Sequence, residues 1–219
     1  MELILIRHGV TAWNQEQRFQ GQIDTPLTEQ GLQQAALTAA FLQARAASEP
    51  IAAVYASDLQ RALGTASPIA QALGLALRLD PRLRERHYGL FEGKTLAELE
   101  ASGHAEDYRR WRSREPDFAL PEGGESLRVF FARAQTALDA IAGQHRAGER
   151  VVVVTHGGVL DCHYRIACGL DMTAVRQHPL HNAALNRIAW DGHRYRLIAW
   201  GQVDHLQAGS SCRMPSTAT

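Results

Sequence analysis

The chain has 219 residues, enough for one domain that buries its own core without disulfides or metal. Lys plus Arg and Asp plus Glu each total 23, so no overall basic field points to nucleic acid or to a membrane surface. The three cysteines, Cys162, Cys168 and Cys212, lack CxxC spacing, and no basic leader or long apolar run is present; a cytoplasmic protein without a disulfide framework, signal peptide or membrane span is expected.

The first element is Leu3 to Ile6, four apolar residues that predict a strand buried on both faces, followed at once by Arg7-His8-Gly9. The polar, turn-rich segment from Val10 to Pro26 reads as a long loop, and such loops in compact domains tend to carry function. Thr28 is the expected N-cap of a helix running to about Ala46, with Leu32, Ala35, Ala36, Ala39 and Leu42 at helical spacing. Ile51 to Ala56 predicts the next strand. Ser57 is the expected cap of a helix ending near Leu73, with Gly74 just past its end. Arg61 falls in the first turn of that helix, where a cation is mildly unfavourable unless a bound anion faces it; a surface pair with Asp58 or Glu85 is the alternative.

Leu75 to Leu79 predicts a short strand, and Leu83 to Gly89 is a dense polar knot containing Glu85 among Arg84, Arg86 and His87. Two short helices, Leu96 to Ser102 and Ala105 to Arg112, lie within an expected lid insertion from about 95 to 121. Pro121 to Ser126 breaks the chain before a helix to about His145, whose stripe of Leu127, Phe130, Phe131, Ala134, Leu138 and Ile141 is core. Val151 to Val154 is a second buried strand, ending in Thr155-His156-Gly157-Gly158, and a helix from Val159 to Cys168 follows. Ala183 to Trp190 and Tyr195 to Trp200 predict an edge hairpin that could pair two copies of the chain. The domain is expected to span 1–206, with a disordered tail at 207–219.

Alternating strands and helices imply an α/β three-layer sandwich, a mostly parallel central sheet with helices on both faces and a small helical lid. In such sheets ligands gather beyond the carboxyl ends of the strands, which is where Arg7-His8, Ser57 to Arg61 and His156-Gly157 all fall. A metal reading has little support. Asp161 and His163 diverge on a helix, and neither His156-Asp161-Cys162-His163 nor His178-His181 has a familiar ligand spacing.

Arg7-His8-Gly9 with Thr11 and Asn14, then Gln20-Gly21, Asp24, Pro26-Leu27-Thr28, Gly31, Ser57-Asp58-Leu59, Arg61-Ala62, Glu85 and His156-Gly157, resembles in order the histidine phosphatase superfamily, also called phosphoglycerate mutase-like. The resemblance covers residues 2 to about 203. It implies that His8 is a nucleophile forming a phosphohistidine. Arg7, Arg61 and His156 would hold the phosphoryl oxygens, and Glu85 would be the general acid and base. Asn14, Gln20, Gly21 and Gly157 would bind phosphate or substrate. No metal or other cofactor is implied, and the partner is a small phosphomonoester.

Within that family, Arg18 with Gln20-Gly21, Phe91-Glu92-Gly93, the Glu122 to Ser126 segment and Gly158 resemble the phosphatases; mutases usually carry asparagine-serine after His-Gly. Glu85 to Gly89 resembles the mutases, in which the tyrosine helps hold a substrate carboxylate, so Tyr88 and Lys94 are further candidates for substrate binding. The expected activity is phosphomonoester hydrolysis of a small metabolite. A 2,3-bisphosphoglycerate-dependent phosphoglycerate mutase is the alternative, and a non-catalytic phosphate-binding module is the reading from another class.

Overall fold

The computed structural model describes residues 1–207, so the tail from 208 onward lies outside the described residues. Six strands form one sheet in the order β3-β2-β4-β1-β5-β6. They are β1 (Glu2–Arg7), β2 (Ala53–Ala56), β3 (Leu77–Leu79), β4 (Arg150–Thr155), β5 (Leu185–Trp190) and β6 (Tyr195–Gln202). The first four are parallel, and the β5-β6 hairpin adds an antiparallel edge. Strand alternation divides the core. Leu3, Leu5, Val151 and Val153 face one cluster with Leu138, Ile141 and Leu160, whereas Ile4, Ile6, Val152 and Val154 face another with Ala39, Ala66 and Ile69.

Helices α2 (Glu29–Arg45) and α3 (Gln60–Leu73) cover the second face; α6 (Leu127–Ala142) and α7 (Gly157–Cys168) cover the first. The expected three-layer α/β sandwich is therefore the observed fold. Thr28 caps α2 by accepting from the Gly31 amide, and Gly74 ends α3 at φ 66°, a left-handed position that suits glycine. Four local expectations change. Leu32 and Ala36 point outward, because Gly31, Ala35, Thr38, Ala39 and Leu42 make the buried stripe. The 10–26 segment contains one helical turn, α1 (Ala12–Gln15), closed by a reciprocal cap between Thr11 and Asn14. The α3 cap is Leu59, not Ser57, and the Gln60 amide is taken instead by Asp24 Oδ1 at 2.6 Å. Helix α7 starts at Gly157, directly after His156.

The lid holds α4 (Leu96–Ala101) and α5 (Ala105–Arg112). Its underside is an aromatic cluster in which Trp111 and Tyr108 meet Phe19, Tyr88 and Phe91, with the Trp111 and Phe19 ring centres 5.0 Å apart. No described helix is long and apolar enough to cross a membrane.

Candidate active site

The parallel register pairs Arg7 with Thr155 and Ala56 with Val154, so the chain leaves β1, β2 and β4 side by side. The His8 amide donates to Thr155 O at 2.9 Å and the Ser57 amide to Val154 O at 3.0 Å. Three segments distant in sequence therefore deliver His8, Ser57 and His156 to one edge. Above this edge lies a cavity of about 910 Å³ between the sheet and the lid. Arg7, His8, Asn14, Gln20, Gly21, Arg61, Glu85, Tyr88 and Gly157 all line it, while His156 lies beneath, its ring centre 5.2 Å from that of His8. Lys94 departs from the expectation: it does not line the cavity, and its Nζ donates to Leu90 O at 2.9 Å.

His8 is buried, and its Nδ1 lies 2.7 Å from Gly9 O. A carbonyl can only accept, so Nδ1 carries the hydrogen and Nε2 keeps the lone pair. Burial, followed by the nearby Arg61 and Arg7 charges, holds the ring well below the ordinary histidine pKa, which keeps it neutral at physiological pH. His156 is shifted in the same direction by burial and Arg61. Ser57 Oγ sits 2.8 Å from His156 Nε2 and accepts from the Leu59 amide. That hydroxyl can donate its own hydrogen to Nε2, the arrangement in which the imidazole hydrogen lies on Nδ1.

Three buried nitrogens around His8 have no partner among the described residues: Arg7 Nε, Arg61 Nε and His156 Nδ1. Buried polar groups are nearly always paired, so this set is prepared for an absent acceptor. Arg61 is not the surface residue of the alternative reading. It is fully buried, gives Nη1 to Ile23 O and Nη2 to Gly21 O, and has its pKa lowered to about 10 by burial. Asp58 pairs instead with Arg84. Gly21 thus anchors Arg61 through its carbonyl, and a Cβ there would strike Glu92. Asn14 Oδ1 receives Thr11 N, Thr11 Oγ1 and Asn182 Nδ2, so its own amide NH₂ is the end left for a ligand.

Glu85 receives the Gly158 amide at Oε2 and the Arg86 amide at Oε1, at 3.0 and 2.8 Å. Its flanking cations turn elsewhere, Arg84 to Asp58 and Arg86 to Glu125 O. Sequence reading missed two supports. Asn182 donates to His8 O at 2.8 Å and so braces the His8 segment; Arg133, from α6, grips the strip that bears Glu85. An Asn just before a strand and an Arg on an amphipathic helix give no local signal. Among the described residues, no cluster of three or more His, Cys, Asp or Glu is arranged to hold a metal.

A parallel sheet whose carboxyl edge holds a neutral buried histidine among unpaired cationic donors, with one carboxylate opposite, defines a phosphoryl-handling α/β protein. A sequence profile of the histidine phosphatase superfamily (branch 1) matches residues 3–203, and the chain belongs to that family. It is 40% identical over 209 residues to phosphoglycerate mutase-like protein 4 of Arabidopsis thaliana, covering 94% of this chain and 87% of the relative. It is 39% identical to the metal-independent phosphoserine phosphatase of the same plant, over 94% and 84% of the two chains. Among solved structures, a mycobacterial glucosyl-3-phosphoglycerate phosphatase superposes with a TM-score of 0.78 at 31% identity, over 92% and 99% of the chains.

Proposed function

We propose that this chain hydrolyses small phosphomonoesters through a phosphohistidine on His8. His8 Nε2 gives its lone pair to phosphorus, and the bond to the leaving oxygen breaks as that oxygen takes a proton from Glu85. Arg7, Arg61, His156, Asn14 and the Gly157 amide at the start of α7 hold the phosphoryl oxygens while negative charge spreads over them. In the second half, Glu85 takes a proton from water, the water oxygen attacks phosphorus, the P–N bond breaks and inorganic phosphate leaves. The observation that carries this reading is the set of unpartnered buried donors at Arg7 Nε, Arg61 Nε and His156 Nδ1 around a neutral His8.

Gly158 favours hydrolysis over the mutase alternative, because it stands where mutases usually carry asparagine and Glu85 here occupies the space such a side chain would need. Tyr88 lines the cavity with Arg86, a buried guanidinium without a carboxylate partner among the described residues, and Trp111. That wall suits a substrate whose non-reacting part carries a carboxylate, as phosphoserine does. The two described cysteines are free thiols, which suits a cytoplasmic setting. The outer edge of β6, with half-exposed Ile198, supports the pairing of two copies, which a mass in solution tests.

The test offers phosphoserine, 3-phosphoglycerate with a trace of 2,3-bisphosphoglycerate, and p-nitrophenyl phosphate in the presence of a chelator, with His8→Ala as control. Free phosphate from the wild type alone is the expected result. Conversion of 3-phosphoglycerate to 2-phosphoglycerate without phosphate release would overturn it in favour of a mutase.

A further inference from the structure

The Arg133 guanidinium makes five hydrogen bonds. Nε donates to Glu125 Oε1 at 2.8 Å and Nη2 to Glu125 Oε2 at 2.7 Å. Nη1 donates to Arg82 O at 2.8 Å and to Arg84 O at 2.9 Å, and Nη2 also reaches Glu85 O at 3.1 Å. One planar fork therefore collects three carbonyls from the strip that ends in Glu85. Glu125 completes the clamp from the other side. Its Oε2 accepts the His87 amide at 2.9 Å, its own amide donates to His87 O at 2.9 Å, and its carbonyl takes the Arg86 guanidinium.

The strip needs such a clamp because it has no regular structure to hold it. A short 3-10 turn at Pro81–Leu83 ends just before it and another begins at Gly89, leaving residues 84–88 in no helix or strand. The carboxylate it carries must sit against the Gly158 amide with little tolerance. Arg133 also stands 5.1 Å from the centre of the Phe130 ring, and that ring forms the other wall of the space into which Glu85 fits at Gly158. Lysine could match the charge of Arg133 but not its planar array of donors.

We infer that Arg133, locked by Glu125, is a positioning residue for proton transfer: it fixes the backbone from which Glu85 reaches the leaving oxygen, without touching substrate itself. The inference rests on the reading of Glu85 as the general acid and base. Proton transfer by a placed side chain is worth about 10²–10⁴ in rate, and misplacement by about 1 Å forfeits a large part of it. The loss must depend on the leaving group. An alkoxide cannot leave without a proton, whereas p-nitrophenolate can; Glu85 serves both esters alike when water attacks the phosphohistidine, so the selective loss falls on kcat/KM, which covers only the steps through departure of the leaving group.

The experiment compares kcat/KM for phosphoserine and p-nitrophenyl phosphate in Arg133→Lys, Arg133→Ala, Glu125→Gln and Glu85→Gln. Arg128→Ala is the control, because Arg128 lies on the same helix in an exposed pair with Asp117. Arg133→Lys is expected to lose about tenfold or more of kcat/KM on the alkyl ester and less than about threefold on the aryl ester, with the thermal midpoint and competitive inhibition by inorganic phosphate near the wild type. Glu125→Gln should follow the same pattern more weakly, and Arg128→Ala should change neither ester. Equal losses on both esters in Arg133→Lys, or no loss, would overturn the inference while Glu85→Gln still showed the selective pattern. If Glu85→Gln were itself unselective, the reading of Glu85 would fall, and the inference with it. Should Arg133→Ala not fold, Arg133→Lys and Glu125→Gln decide the matter.

Discussion

The Gly158 amide donates to Glu85 Oε2 at 3.0 Å, and a Cβ on Gly158 would lie 2.2 Å from Glu85 Oε1. The position that orients the carboxylate is therefore also one where a side chain would displace it. In Gly158→Ala the Glu85 side chain must move. Helix propensity favours alanine in the first turn of α7 by up to about 1 kcal/mol, so the variant should fold. Steady-state assays are expected to show kcat for an alkyl phosphate down about 10²-fold, with competitive inhibition by inorganic phosphate little changed. Wild-type kcat in this variant would remove the steric argument.

Anion binding should read out as stability. A ligand that binds only the folded state at a hundred times its Kd adds about 2.7 kcal/mol, so inorganic phosphate or vanadate should raise the thermal midpoint. Arg61→Ala loses a buried donor toward the anion and also the two ties to Gly21 and Ile23. Its midpoint should be lower and should respond little to phosphate at concentrations that saturate the wild type. An undiminished shift in Arg61→Ala would place the anion elsewhere.

Acid should destabilise this protein through its buried histidines. His163 is fully buried, and its pKa is pushed down to about 4, chiefly by burial. Below its ordinary value near 6.5 the unfolded chain binds the proton and the folded one does not. Stability is therefore full above pH 6.5 and falls as pH drops toward 4, by about 3 kcal/mol for this residue alone. His8 and His156 act with the same sign. Chemical denaturation between pH 7 and 4 should show this slope, and it should be shallower in His163→Phe than in the wild type.

Asn182 braces the site with one amide group, its Nδ2 directed at His8 O, Gly9 O and Asn14 Oδ1. Asn182→Asp would present a carboxylate oxygen to three acceptors, whereas Asn182→Ala only removes the donor. The aspartate variant should therefore be the more damaging, losing more of kcat and of the thermal midpoint than alanine does. The reverse order in paired kinetic and melting measurements would show that the brace does not act through this NH₂.

How far each part could be read from the sequence follows the range of the interaction involved. The strands Leu3 to Ile6 and Val151 to Val154 announce themselves by apolar runs, and His8 and His156 stand where those runs stop. Thr28 and Gly74 are legible because a cap is a local hydrogen bond or a local dihedral angle. Ser57 misled because its hydroxyl serves His156, ninety-nine residues away in the chain, and Asp24 takes over the capping of α3. Lys94 misled because a long cation near a motif can fold back on its own carbonyls. Leu32 fell in register with the helix but faces water, since Gly31 packs against Val10 and sets which side of α2 turns inward. Asn182 and Arg133 were invisible, because backbone carbonyls are the partners they serve and carbonyls leave no mark in a sequence.

The strand that ends at His8 lies between β4 and β5, and neither neighbour exists until residue 150 has been made. Until then both of its edges are open, and an apolar strand with open edges is a template for pairing with other chains. Such long-range pairings are slow to form. Any product truncated between β1 and Arg150 would keep His8 and lose both neighbours of its strand. Synthesis errors in this protein should therefore yield aggregates for clearance and not partially active enzyme.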